Sequence, residues 1–242
     1  MKSEKTENIY TQKNGEYFEK NPTWHVEDSP WKARQIYNII NRNSLSVKSI
    51  VEVGCGAGEI LNQLYTLLPN DIKFTGYDIS SDALNLAKER TKSRLKYKLK
   101  DFLKEDKKFD LALLIDVFEH VDNYLGFLRS CRTKSLYSIF HIPLDISAQA
   151  TIRNLQISAR NEVGHLHYFT KDTALATLED CGYGIIDYFY TKGSLDLQRT
   201  LNAKLAAIPR KILFNINRDF TVRLFGGFSL LVLTKNKNYN IK

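Results

Sequence analysis

From Lys48 onward the chain alternates between two hydrophobic periodicities. Short β-branched and aromatic runs end in Gly, Asp or Pro, and between them apolar residues recur every three or four positions. SIVEVGC (49–55) predicts a strand, and EILNQLYTLL (59–68) predicts a helix with Ile60, Leu61, Leu64, Leu67 and Leu68 on one side. KFTGYDI (73–79) predicts a second strand, followed by a helix over SSDALNLAKER (80–90) capped by Ser80 or Ser81. LKYKLKDF (95–102) alternates as a third strand, and FDLALLIDV (109–117) is continuously apolar, as a strand buried on both faces must be. NYLGFLRSCR (123–132) reads as a helix and SLYSIFHIP (135–143) as a strand stopped by Pro143. After a less regular stretch, TKDTALATLEDCG (170–182) predicts a helix between a Thr170 cap and a Gly182 stop, and GIIDYFYT (184–191) and FSLLVLTK (228–235) supply two late strands.

Strand and helix in strict alternation predict an α/β fold, a Rossmann-like doubly wound parallel sheet with right-handed crossovers. The chain of 242 residues suits one domain. Its expected parts are an N-terminal cap (1–44), the core (45–191 and 228–236) and an insertion (192–227). Composition narrows the setting. No apolar run reaches the roughly 18 to 20 residues that span a bilayer, and the first twenty residues lack a secretory h-region. Cys55, Cys131 and Cys181 are an odd, scattered set, so neither disulfides nor a zinc site is expected, and a cytoplasmic protein is. The net charge of +8 permits an anionic partner or simple solubility. The last residues, KNKNYNIK, read as a frayed tail.

The first predicted strand ends in Val53-Gly54-Cys55-Gly56-Ala57-Gly58, a loop in which the backbone turns sharply and approaches a ligand. Dinucleotide loops space their glycines G-x-G-x-x-G. Here the third glycine comes one position early and Glu59 takes its place; a GK[ST] phosphate loop is absent. Asp78 closes the second strand, where an acid accepts from ribose hydroxyls.

VEVGCGAG, YDIS, KDF and FDLALLIDVFEHV, in this order and spacing, resemble the class I S-adenosylmethionine-dependent methyltransferases over residues 45–191 and the last strand. The resemblance implies a seven-stranded sheet, mostly parallel with an antiparallel last strand. It implies S-adenosylmethionine as cofactor, with S-adenosylhomocysteine as product. Glu52, Gly54, Cys55, Gly56 and Gly58 then surround the methionine portion and ribose. Asp78 and Ile79 serve ribose and adenine, Asp101 and Phe102 the adenine edge, and Asp116 and Val117 the region of the transferred methyl. Read alone, Asp101 also fits a turn cap and Asp116 a strand end.

Methyl transfer to a hydroxyl gains from a base. His120, after Glu119, resembles the family position facing the substrate, and His165 and His167 in GHLHYFT form a second candidate pair followed by Tyr168. Their i, i+2 spacing puts both on one side of an extended segment. Asp145 is a further candidate, and His141 reads as a structural histidine. No metal is expected, because no carboxylate partner is identifiable for the pair. At the start of the cap, Ser29-Pro30 reads as N-cap and N1 of a helix. Trp24, His25, Asp28, Trp31, Lys32 and Arg34 gather there, as a substrate cap favouring an anion would have them.

The insertion carries Lys192, Arg199, Lys204, Arg210, Lys211, Arg218 and Arg223 against Asp196 and Asp219, with Pro209 expected to break its amphipathic helix. It is expected to complete the substrate pocket or, as lower-ranked alternatives, to form an oligomer contact or to rest on an anionic membrane surface. WHVEDSPWKA, IPLD and GHLHYFT resemble bacterial methyltransferases of surface-polysaccharide modification, including O-methyl phosphoramidate capsule decoration. The expected activity is O-methylation of a small anionic or sugar-linked metabolite. The alternatives are an RNA methyltransferase, a lipid or quinone methyltransferase, and a non-catalytic cofactor-binding module. For RNA bases, DVFEHV stands where an Asn- or Asp-Pro-Pro-aromatic motif is usual.

Overall fold

The computed structural model describes residues 21–24, 26–197 and 201–236. Seven strands, β1 (Ser49–Val53), β2 (Lys73–Asp78), β3 (Leu95–Leu99), β4 (Phe109–Ile115), β5 (Ser135–Pro143), β6 (Tyr183–Thr191) and β7 (Ser229–Asn236), form one sheet. Its order is β3-β2-β1-β4-β5-β7-β6. The first five strands run parallel, and β7 is antiparallel to both β5 and β6. Order reverses between β1 and β4, which opens a crevice beyond their carboxyl ends. The seven-stranded, mostly parallel sheet with an antiparallel last strand is the predicted one.

Both faces are covered because alternate residues of one strand serve opposite sides. In β4, Leu111 and Leu113 join Ile50, Phe74, Leu231 and Leu233 on one face, beneath helices α1 (Ser29–Arg42) and α2 (Glu59–Leu67). Ile36, Ile39 and Ile40 of α1 and Leu61 and Leu64 of α2 seal that side. Ala112 and Leu114 face the other way, toward Val51, Phe140 and Val232. There they meet Leu128 of α4 (Tyr124–Arg132) and Ala174 and Leu178 of α7 (Lys171–Asp180). Between α2 and α4, helix α3 (Ser81–Lys88) follows β2 and is capped by the Ser80 hydroxyl.

Three local expectations are corrected. Helix α1 begins at Ser29, so Asp28 occupies the N-cap position without a side-chain cap bond and Pro30 lies inside the first turn. A 3-10 turn at Val26–Asp28 leads straight into it, which brings Ser29 into helical geometry one residue early. The less regular stretch holds two short helices, α5 (Ala148–Ile152) and α6 (Leu155–Glu162). In the insertion, α8 (Gly193–Asp196) precedes α9 (Leu201–Ile216), which runs through Pro209 unbroken, and α10 (Arg218–Phe225) follows. An interior proline costs about 3 kcal/mol; Ala207 and Phe214 buried in the core, and Arg210 donating to the Phe225 and Gly226 carbonyls, hold the turns on either side. No helix among the described residues is long and apolar enough to cross a membrane.

Candidate active site

A cavity of about 1430 Å³ opens at the switch point between β1 and β4. That exceeds the ~300–1,000 Å³ of a site for one drug-sized ligand, and leaves room for a cofactor and an acceptor together. Its floor is the loop Gly54–Gly58. Gly56 has φ +52, and its N–H donates to Asp78 Oδ2 at 2.8 Å. Gly58 has φ +77, and a Cβ there would lie 2.5 Å from the Tyr97 ring, whose hydroxyl donates to the Gly58 carbonyl. Only glycine fits such a position.

Asp78 ends β2 buried, with Ser80 N–H and Gly56 N–H donating to its two oxygens. Burial raises its pKa from its ordinary value, although those N–H groups, with that of Ile79, oppose the rise. Glu52, 2% exposed, has Oε2 without a hydrogen-bond partner among the described residues. Burial first, then the charge of Asp78, pushes its pKa well up. An orphaned buried carboxylate beside a glycine cradle fits a ligand that brings donors: the ammonium and ribose hydroxyls of S-adenosylmethionine. Asp101 caps the turn Phe102–Lys104, accepting from the Leu103 N–H, and also lines the cavity with Ile79, Phe102, Leu103 and Phe127.

Beyond β4 the chemistry changes. Asp116 adopts φ +53, a left-handed conformation that Asp tolerates better than most residues. It accepts from Lys32 at 2.7 Å and meets His141 Nδ1 at 2.6 Å. His141 Nε2 lies 2.9 Å from the Thr191 hydroxyl, and the Trp31 ring stands edge-on to the imidazole. Burial alone would raise Asp116, but the charges of His141 and Lys32 outweigh it and hold the carboxyl far below its usual range. Lys32 is likewise kept protonated: burial disfavours its charge, and Asp116 more than restores it.

A second cluster lies close by. Backbone N–H groups of Leu166 and His167 donate to the Glu119 carbonyl, which pins residues 165–167 against the turn Phe118–His120. The rings of His120 and His165 therefore meet at 4.9 Å, and both line the cavity. His165 Nδ1 is 2.6 Å from Asp145 Oδ2; His120 Nδ1 is 3.2 Å from the Gly164 carbonyl. Burial, then neighbouring His165, lowers the His120 pKa to about 4, so its imidazole is neutral at pH 7.

The expected residues thus divide. Glu52, Gly54, Cys55, Gly56, Gly58, Asp78, Ile79, Asp101, Phe102, Asp116 and Val117 all line the cavity. So do Trp24, Asp28, Trp31, Lys32, His120 and His165, with Asp145 behind His165. His167 and Tyr168 are not in the lining: His167 Nε2 meets the Val121 carbonyl, and the Tyr168 hydroxyl donates to the Gln156 and His165 carbonyls. The segment does not put His165 and His167 on one side. Arg34 is exposed on α1 away from the lining; His25, Arg199 and the Lys204 side chain lie outside the described residues. His141, expected to be structural, is a cavity residue, and Glu119, directly before His120, joins the same cluster from behind the lining. The ends of the insertion also reach the cavity, through Gly193, Ser194, Leu197 and Gly227.

Charge runs against expectation. The lining holds seven carboxylates (Asp28, Glu52, Glu59, Asp78, Asp101, Asp116 and Asp122) against Lys32 and Lys100. Lys32 is already matched by Asp116, so among the described residues the start of α1 lends the cavity no spare cation for an anion.

Residues 26–188 match a family model described as a methyltransferase domain. A ubiquinone biosynthesis O-methyltransferase of Glaesserella parasuis is 32% identical over 101 residues, 37% of this chain and 42% of that relative. The chain thus matches less than half the length of this curated relative. Magnesium protoporphyrin IX methyltransferase of Synechocystis, with bound S-adenosylmethionine, superimposes with TM-score 0.59 at 11% identity, covering 97% of each chain. The methyltransferase in a complex with the Haloferax volcanii Trm112 activator gives TM-score 0.62 at 13% identity, over 91% of this chain and 97% of that one. With well over half its length inside the family model and a cavity built for the cofactor, this chain belongs to the methyltransferase-domain family as an S-adenosylmethionine-dependent methyltransferase.

Proposed function

We propose that the chain methylates a hydroxyl of a small sugar-linked acceptor, of the kind modified in bacterial surface-polysaccharide synthesis. The observation that supports oxygen as acceptor is the His165–Asp145 pair beside His120 at the cavity wall. When bound, S-adenosylmethionine supplies an electrophilic methyl group. Glu52, Asp78 and Asp101 would hold it, and the glycine loop leaves its path clear of side chains. Asp145 fixes Nδ1 of His165 as the donor nitrogen, so the other ring nitrogen has the lone pair that receives or orients an acceptor hydroxyl. Trp31 and Pro143 add apolar walls that limit water at that end.

The lining's carboxylates favour a sugar hydroxyl over a phosphate, and disfavour RNA, whose backbone needs cations. Calorimetric titration with S-adenosylhomocysteine, then a labelled-methyl screen of sugar-nucleotide and polyol acceptors, tests the reading. Labelled product lost on His165→Ala and Asp145→Asn is expected. Methyl transfer to nitrogen or carbon alone, or full turnover in both variants, would overturn it.

A lipid-like acceptor is the second reading. On α9, Ile208, Ile212 and Ile216 are exposed at every fourth position, and Phe220 of α10 is exposed as well. The relative named for ubiquinone biosynthesis points the same way. Co-sedimentation with anionic vesicles that disappears on Ile212→Glu with Ile216→Glu would favour it.

A further inference from the structure

We propose that Glu119, His120 and His165 form a binding site for a divalent transition-metal ion with an open position facing the acceptor. The three ligand atoms lie within 4.8 Å of one another. Bonds of about 2.0–2.2 Å set ligand atoms roughly 3.4 Å apart around a tetrahedral ion, so small side-chain rotations close the site.

An independent observation points to a cation. Glu119 is fully buried, and neither carboxylate oxygen has a hydrogen-bond partner among the described residues. A buried carboxylate without a donor is costly, and native proteins resolve such a group with a partner or a metal. His120 Nε2 is 4.0 Å from Glu119 Oε1.

The surroundings have the form that metal-bound histidines require. Asp145 Oδ2 meets His165 Nδ1, the carboxylate–histidine pairing that fixes a ligand's tautomer and raises its basicity. The Gly164 carbonyl does the same at His120 Nδ1. Each ring is thus held from behind, with Nε2 as its ligand atom. The Glu119 carbonyl, accepting from Leu166 and His167, keeps the 165–167 segment in register with the turn. Two imidazoles and one carboxylate suit Zn²⁺, Co²⁺, Mn²⁺ or Fe²⁺ rather than Ca²⁺ or Mg²⁺.

His120 and His165 line the cavity, so the remaining coordination position faces the acceptor. The use of the ion rests on the O-methylation reading; its binding does not. With the ion bound, His165 Nε2 would be its ligand in place of its role as base, and the ion would ease loss of an acceptor hydroxyl's proton to water. The oxygen's electron pair then forms the new bond to the methyl carbon, and the methyl–sulfur bond breaks with its pair left on sulfur.

The test is titration of the chelator-treated full chain with Co²⁺, followed by visible absorption and by displacement with Zn²⁺. One equivalent of Co²⁺ with intense d–d bands is expected. Glu119→Gln and Asp145→Asn should each weaken it about tenfold or more, with S-adenosylhomocysteine binding retained as the check on folding. His167→Ala, whose imidazole faces the Val121 carbonyl, should leave it unchanged. No stoichiometric binding by wild type, unchanged affinity in both folded variants, or thiolate charge-transfer bands would overturn the site. Stoichiometric binding as described, with no O-methylated product from any hydroxyl acceptor, would overturn the functional reading alone. Undiminished O-methylation by ion-free protein would overturn the ion's role alone.

Discussion

Lys32→Met keeps the aliphatic stem and removes the charge that closes the cap onto the core. Lys32 Nζ stands 2.7 Å from Asp116 Oδ2, and the two side chains are 20% and 22% exposed. At an effective dielectric of about 20 the gross attraction at that distance is roughly 6 kcal/mol. Desolvation of both groups offsets most of it, and Asp116 keeps His141 as a partner. A net loss of about 2 kcal/mol is expected, below the ~3–5 of a fully buried broken pair. For a chain of this length that lowers Tm by about 4–8 °C. The sign against pH follows from both partners. Asp116 is depressed, so its contribution is complete above about pH 4 and fades as acid approaches the lowered value. Lys32 is raised, so its contribution is complete below about pH 10.4 and fades above that. Urea unfolding of wild type, Lys32→Met, Asp116→Asn and the double variant at pH 7 gives the coupling directly. A coupling below about 0.5 kcal/mol, or a wild-type-to-Lys32→Met difference that grows between pH 5 and pH 3, would refute the assignment.

Three further outcomes follow from individual contacts. Gly58→Ala forces an alanine to φ +77 with Cβ against Tyr97; about 1–2 kcal/mol of backbone strain, relieved in the free protein by a shift of the loop, should weaken S-adenosylhomocysteine about 5- to 30-fold by calorimetry. Glu52→Gln should bind the cofactor product at least ~tenfold more weakly yet unfold at no lower temperature at pH 7. The raised pKa of Glu52 makes its ionised form a destabilising group, and the gain should vanish below about pH 4.3, where the carboxyl is neutral in both states. Tyr183→Phe removes a buried hydroxyl that donates to the Leu128 carbonyl at 2.7 Å, and urea unfolding should report a loss of about 1–2 kcal/mol.

The sheet was legible because each strand carries its own evidence: β4 must be apolar on both faces, and β1 and β2 end in the glycines and acid that the crevice needs. Helices α5 and α6 were not, since α6 buries none of its residues and so prints no periodic stripe. Pro209 misled for the opposite reason; local propensity ends a helix there, and packing around Phe214 overrides it. Site residues divide in the same way. Those whose neighbours in sequence are also neighbours in the loop, Gly54 to Gly58 and Asp78, could be read in place. His141 could not, because its partners Asp116 and Thr191 lie 25 and 50 residues away and meet it only through strand register. Likewise, the extended-segment expectation for His165 and His167 fails because the Glu119 carbonyl takes the N–H groups of Leu166 and His167, and the two rings find separate partners in Asp145 and the Val121 carbonyl.

Net charge is the instructive failure, because a sum over the sequence says nothing about where charges converge. The chain is +8, yet its cavity presents seven carboxylates and two lysines. The carboxylates are placed where hydroxyls, an ammonium group or a metal ion would meet them, and most have assigned partners: Asp78 on backbone N–H groups, Asp101 on its turn, Glu59 on Arg90, Asp116 on Lys32 and His141. Glu52, with an orphaned oxygen, stands out at the cofactor end, as buried Glu119 does behind the acceptor end. Two buried acids with oxygens unpartnered among the described residues, Glu52 in the cavity lining and Glu119 beside the lining residue His120, are positions where positive or donor-rich groups fit. Among the described residues the basic side chains therefore lie largely outside the cavity lining, where they raise the local concentration of anionic partners without selecting among acceptors.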